Sequence, residues 1–381
     1  MYKFLLFSAV FFVTQLVSSQ TIYKTFNSSK LGSSRELKIQ LPRNYEENKD
    51  KTYPLILVLD GDYLFEPMAG SVDYYSYWDE MPEAIVVGIN QANSRREDTA
   101  YDNQRYLPED KGAKFFEFLG MELLPFLDTS YRTSKFTAVA GHDITANFLN
   151  YYLLKPVPIF QAYINFSPDL SPEMADRLTT ALSSAERPTW FFLATASDDI
   201  KSLKNEIQGL NSKLSAVQNE NLKYAFVEVQ EATHYSLIGR ALPVALEFIF
   251  EGYPPISLKE YDELVASEDS ALEYLNKKYS KIQDQYRIKK KIRINDFMAI
   301  GKVLEDHNKW DELEKLGDIA KDQYPKLMLG TYYQARAFEE NGRPKKAMKT
   351  YQSAYGQEEV GFITVDFMLK KAELIKEDFG Y

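Results

Sequence analysis

In the stretch FTAVAGHDITANF, Phe136 to Phe148, an apolar strand-like run ends in Gly-His-Asp and a helical pattern begins at once. A strand that turns sharply into a helix lifts the residue at its apex clear of the sheet edge. That is how a G-x-S-x-G elbow presents its nucleophile. Here the apex residue is Asp143, and Thr145 stands where the motif has its second glycine. A carboxylate attacking an alkyl carbon gives an ordinary ester, which activated water can hydrolyse. Attack on a carboxylic ester would instead give an anhydride, an intermediate little easier to form than the ester is to cleave. Asp143 therefore suits alkyl-group substrates, a water-based route, or no catalysis.

The chain holds only three histidines, so the search for a general base is short. His142 precedes the apex and is expected to point away from the pocket, and His307 falls in a helix–helix turn. His234, in QEATHYSL, follows the strand-like YAFVEV and is the expected base. A carboxylate close to it would favour the imidazolium and remove the base that a serine mechanism needs. The acid that holds its imidazole in one tautomer is expected from FFLATASDDI, as Asp198 or Asp199, and the sequence leaves the choice open. Backbone N–H groups of Ile144, Gly61 and Asp62 are the candidates for an oxyanion hole. Ser167 and Ser236 are hydroxyls near these segments, but neither lies on an elbow, and both read as loop or cap residues. Without a cysteine, thiol catalysis, disulfides and cysteine metal sites are excluded, and neither a metal nor a cofactor is expected.

These residues must be held by a scaffold. ELKIQL, YPLILVLD, AIVVGIN, FTAVAG, FQAYINFS, TWFFLAT and YAFVEV read as strands, separated by helical stretches such as 114–127, 146–154 and 200–217. Nearly continuous apolar strands alternating with helices predict an α/β fold with a mainly parallel sheet covered on both faces. Candidate residues then gather at the carboxyl ends of the strands, where such sheets place their sites. The aromatic-rich segment Tyr63 to Trp78 is expected to overhang that pocket and to favour an apolar or aromatic small-molecule ligand.

Beyond Tyr253-Pro254-Pro255 no strand is expected. A shift of 34 residues places Gly301 on Ala335, Leu304 on Phe338, Leu313 on Ala347 and Ala320 on Ala354. That small–large–small spacing is tetratricopeptide-like: small residues let paired helices approach and large ones fill between turns. About two repeats and a final helix, Thr364 to Asp378, are expected, with a possible protein partner on their surface. The division is residues 20–252 for the first domain, 253–257 as linker and 258–381 for the helical domain.

Residues 1–19 read as a secretory signal, with Lys3 before an apolar stretch and Val17-Ser18-Ser19 before the cleavage point. The mature chain is expected to be exported, periplasmic or secreted, with no membrane span. A net charge of −10 argues against a nucleic-acid or acidic-membrane binder. The basic run Arg287 to Arg293 is expected to be a solvated segment between helices.

YPLILVLDGD, AIVVGIN followed by Arg96 and Asp98, FLGMELLPFLDTSYRT, AGHD, NFSPDL and THYSL occur in one characteristic order. From about Leu31 to Phe250 the chain resembles the esterase D-like and enterochelin esterase-like family. The resemblance implies an α/β-hydrolase fold and ester hydrolysis through a serine, a histidine and an acid, and the helical tail is similar to that of exported bacterial members. The departure is Asp143 in the serine's place. GHD also resembles the elbow of epoxide hydrolases and haloalkane dehalogenases, whose oxyanion loop differs from LDGD. The expectation is an esterase-like hydrolase with an atypical elbow. The alternatives are a catalytically silent scaffold that binds through its pocket and repeats, and a purely structural repeat protein.

Overall fold

The computed structural model describes residues 21–381, so the expected signal segment lies outside the described residues. Eight strands form one sheet: β1 (Ile22–Ser28), β2 (Ser33–Gln40), β3 (Tyr53–Val58), β4 (Ile85–Ile89), β5 (Thr133–His142), β6 (Ala162–Phe166), β7 (Thr189–Asp198) and β8 (Leu222–Thr233). Their order is β1-β2-β4-β3-β5-β6-β7-β8. β1 and β2 pair antiparallel with their neighbours, and every pair from β4 through β8 is parallel. With helices on both faces and a sharp turn after β5, this is the α/β-hydrolase architecture.

Every residue of β3, β4 and β6 is buried, as expected for strands covered on both faces. β1 was not expected from the sequence. Its IYKTFNS is mostly exposed and carries no apolar run, so only its pairing with β2 makes it a strand. The expected helix over 114–127 is divided into Asp110–Glu117, a π-helical turn Phe118–Leu123, and Leu124–Ser130. Pro125 has no N–H to give to the preceding turn, which accounts for the break in register.

From Leu258 onward the chain forms helices Leu258–Ala266, Ala271–Tyr286, Ile294–Asp306, Trp310–Gln323, Leu329–Glu340, Pro344–Gln352 and Val365–Phe379. The residues matched by the 34-residue shift are all buried. Gly317 and Gly330 mark a close crossing: a Cβ on Gly317 would lie 2.9 Å from the Gly330 carbonyl oxygen. One apolar core runs from the sheet into these helices. Tyr286 is its joint, packing against Phe136, Phe250 and Tyr253 and accepting the Ser134 hydroxyl at its carbonyl. Ser134, Phe136 and Trp190 begin β5 and β7, so the helices cover the amino edge of the sheet, opposite the candidate site.

The basic run departs from the solvated reading. Ile288 and Ile292 are buried. Lys290 and Arg293 both bind the Asp79 carboxylate, with Lys290 Nζ 2.8 Å from its Oδ1. Tyr253 donates to the same carboxylate, and its ring lies under both cations. An isolated basic run prefers water. This one is drawn in because Asp79 supplies an acid and Tyr253 an aromatic face.

Candidate active site

Asp143 sits between β5 and the helix Ile144–Leu149 with φ 60° and ψ −122°. A non-glycine residue there costs about 1–3 kcal/mol and persists only where its surroundings over-determine it. The surroundings are specific. A Cβ on Gly141 would lie 2.8–2.9 Å from backbone atoms of Thr145 and Ala146, so the helix can fold back onto β5 only if that residue is glycine. Thr145 is wholly buried. Its Oγ1 accepts from the His142 N–H at 3.0 Å and donates to Asp60 Oδ2 at 2.6 Å, pinning the turn from below.

The Asp143 carboxylate is ion-paired. Arg95 Nη1 lies 3.1 Å from its Oδ2. The same guanidinium holds Asp60 through Nε at 2.6 Å and Nη2 at 3.2 Å, and Nη2 also donates to the His142 carbonyl at 2.7 Å. Asp60 is only 1% exposed. A buried carboxylate needs such a partner, since desolvating an unpaired charge is costly. Sequence reasoning missed both residues, noting Arg96 and Asp98 nearby instead. The available signal was an acid closing the apolar run LILVLD, which had to find a cation somewhere.

At the ends of β7 and β8, His234 Nδ1 lies 2.8 Å from Asp199 Oδ1. A carboxylate cannot donate, so Nδ1 carries the proton and Nε2 is the basic nitrogen. Asp199 also accepts from Thr195 Oγ1 at 2.7 Å and from the Ile200 N–H at 2.8 Å. Burial alone would raise its pKa. The bonds from His234, Ser167, Thr195 and Ile200 outweigh burial and hold it far below the usual carboxylate range. Asp198 is exposed and pairs with Thr233 across β7–β8, so of the two aspartates it is Asp199 that meets the histidine. Adjacent residues of an extended strand face opposite ways, and β7 reaches to Asp198, which leaves Asp199 to turn in under His234.

His142 departs from expectation. It is buried, its ring centroid is 4.4 Å from that of His234, and its Nε2 donates to the His234 carbonyl at 3.1 Å. The Tyr63 hydroxyl sits 3.0 Å from His142 Nδ1 and 2.9 Å from Asp60 Oδ2. Burial, then the nearby His234, pushes the His142 pKa down to about 4. A neutral, Nε2-protonated His142 is thus a strut between the elbow and the His234 loop. The ring lies between Tyr63, after β3, and His234, after β8, which the expectation of a side chain pointing away from the pocket did not anticipate.

Of the oxyanion candidates, the Gly61 N–H is committed to the Ile89 carbonyl at 2.8 Å. A Cβ on Gly61 would lie 2.7 Å from Ile89 N, so this glycine serves close packing against β4. Among the described residues the N–H groups of Ile144 and Asp62 have no hydrogen-bond acceptor. Asp169 lies beside the elbow, its N–H 3.2 Å from the Asp143 carbonyl. Its pKa is raised by burial and by the Asp143 charge. Ser236 caps a local turn by accepting from the Thr233 N–H.

The aromatic segment does not overhang the site as a whole. Tyr63 does touch the elbow, but the helix Phe65–Tyr77 runs back along the sheet, so Tyr74, Tyr77 and Trp78 lie toward the opposite edge. Besides Tyr63, an exposed aromatic beside the histidines is Tyr235, its ring 5.0 Å from that of His234. No group of three or more His, Cys, Asp or Glu side chains among the described residues is arranged to hold a metal ion.

The family model described as "Putative esterase" matches residues 28–240. Among solved structures, an uncharacterised protein from Capnocytophaga ochracea is 28% identical, with TM-score 0.87 over 94% of this chain and all of that one. An IroE-like serine hydrolase from Shewanella oneidensis (19% identical, TM-score 0.61) covers 79% of this chain and 98% of its own. A siderophore hydrolase, EstA, from Aspergillus nidulans (18%, TM-score 0.51) covers 65% and 98%. The last two likenesses are of fold. No curated protein gives a significant match.

Proposed function

The chain belongs to the esterase family that this model describes, and from that premise we propose that it hydrolyses ester or related bonds of a small molecule, with His234 as general base. The observation that carries this reading is the 2.8 Å contact between His234 Nδ1 and Asp199 Oδ1, which leaves Nε2 as the basic nitrogen beside the elbow. A surface histidine has no need of a carboxylate with a fully buried side chain, and the Asp199 side chain is 0% exposed. In the proposed route Nε2 takes a proton from water as its oxygen attacks the carbonyl carbon. The N–H groups of Ile144 and Asp62 receive the developing oxyanion. The imidazolium then returns the proton to the departing alkoxide, giving acid and alcohol. Asp143, held by Arg95, positions the water and is not the attacking group, because its attack on an ester would lead through an anhydride.

A second reading, a silent scaffold that binds a ligand without turning it over, is favoured by the Arg95–Asp143 ion pair. That pair fills the apex where a serine would stand. Turnover of simple aryl esters separates the two. The hydrolase reading expects a rate that His234→Ala lowers by about 10²-fold or more. A natural protein with no turnover supports the silent scaffold, and a rate unaffected by that change overturns His234 as the base.

The exposed Tyr235 and Tyr63 favour a ligand with an apolar or aromatic part. The buried residues that recur at a shift of 34 in the tail support tetratricopeptide-like repeats, whose outer surface is proposed to take a protein partner. Export rests on residues 1–19 of the sequence alone. Among the described residues no helix is long and apolar enough to cross a membrane.

A further inference from the structure

Ser167 closes β6 with φ 42°, a left-handed conformation unusual for serine, and its side chain is wholly buried. Its N–H is fixed to the Ala194 carbonyl at 2.8 Å, across the sheet on β7. That places its Oγ 3.1 Å from His234 Nδ1. Backbone strain at a buried polar residue beside a candidate catalytic group points to a role at that group.

The geometry excludes the obvious role. A nucleophilic serine must face Nε2 and be open to substrate, whereas Ser167 faces the nitrogen that Asp199 already holds and has no exposed surface. Nδ1 has one proton, and Asp199 Oδ1, at 2.8 Å, is its acceptor. The Ser167 hydroxyl proton therefore goes to the same carboxylate, and its oxygen faces the Nδ1–H. Serine and carboxylate thus meet at Nδ1 of the imidazole, a three-membered contact that leaves Nε2 free of both.

We propose that Ser167 is a positioning residue that locks His234 in its Nδ1-protonated tautomer by completing this contact with Asp199. The inference rests on the assignment of His234 as the base. The lock works on a buried face that substrate does not reach, so Ser167 acts through His234 and not on the reacting atoms.

The test reads the imidazole directly. With three histidines in the chain, nitrogen-15 ring spectra of the intact protein contain few signals, and His234→Ala assigns the relevant one. The natural protein is compared with Ser167→Ala and Ser167→Gly. The glycine variant also removes the hydroxyl but relieves the positive φ, so it is expected to fold if the alanine variant does not. Loss of one hydrogen bond is expected to shift the His234 tautomer ratio about fivefold toward Nε2–H in any folded variant. A ratio that stays within twofold of the natural protein's overturns the lock and makes Ser167 a packing residue. The result is independent of turnover. A shifted ratio in a protein that cleaves no ester upholds the lock while the hydrolase reading fails. Where turnover is present, Ser167→Gly is expected to lower kcat with KM little changed, and a change confined to KM counts against the lock.

Discussion

The Asp143 carboxylate and the Arg95 guanidinium are 3.1 Å apart, and the same guanidinium grips Asp60 through two nitrogens. One cation thus compensates an acid at the apex of the elbow and another buried beneath it. This joins the identity of the apex residue to the stability of the turn. It also means that a serine at position 143 would leave Arg95 still anchored on Asp60.

Arg95→Ala is expected to destabilise the protein by about 3 kcal/mol, because Asp60 loses its partner while remaining buried. Urea unfolding measures it. A change within about 0.5 kcal/mol, the range of ordinary surface substitutions, would show that the ion pairs are incidental.

Asp143→Ser is expected to place a hydroxyl where the family has its nucleophile, in a pocket that retains His234 and Asp199. Turnover of aryl esters should rise at least about tenfold over the natural protein, as nucleophile and base act together. His234→Ala in the serine background should remove the gain. A folded Asp143→Ser protein with no gain would mean that base and apex do not face a common substrate.

A single turnover of the natural protein in oxygen-18 water is expected to leave the Asp143 carboxylate unlabelled. Label there would require a covalent ester on Asp143 and its hydrolysis at the carboxylate carbon, and would overturn the water-based route. Mass spectrometry of the elbow peptide distinguishes the two.

Stability is expected to fall as pH drops from about 6.5 to about 4. The His142 pKa in the fold is about 4, depressed by burial and by His234. The unfolded chain titrates this group near 6.5, so below that pH the unfolded state takes up a proton that the folded state refuses. The stabilisation is complete above about 6.5, and about 3 kcal/mol is lost by pH 4. Asp199, lowered in the fold, adds a further loss below the usual carboxylate range, near pH 4. His142→Gln should flatten the upper part of this slope. An unchanged slope would remove His142 as its source.

Asp79→Ala is expected to loosen the joint between the sheet and the helices. It leaves Lys290 and Arg293 partly buried over the Tyr253 ring without their acid. Calorimetry of the natural protein should give one transition, because a single core spans both parts. The variant should show a lower-temperature shoulder from the helical part. An unshifted single transition would show that apolar packing around Tyr286 suffices.

Much of this molecule could be read without coordinates where the signal was local. Seven of the eight strands lie where the apolar runs put them, and burial on both faces dictates the composition of β3, β4 and β6. β1 was invisible because its pairing with β2 is set by a partner strand and not by its own side chains. The site divides in the same way. Asp143 and His234 could be named because a strand–turn–helix pattern and a scarcity of histidines single them out.

The choice of Asp199 over Asp198 could not be read, because it depends on which side of the end of β7 faces the loop after β8. Arg95, Asp60 and Ser167 were passed over for the same reason: each acts on a group 35 or more residues away in sequence. The amino-acid order determined where the strands end and which reactive groups stand at those ends. Sheet register and the strained turn at Asp143 decided which of those groups meet, since hydrogen bonds of about 3 Å between distant segments are a property of the closed fold.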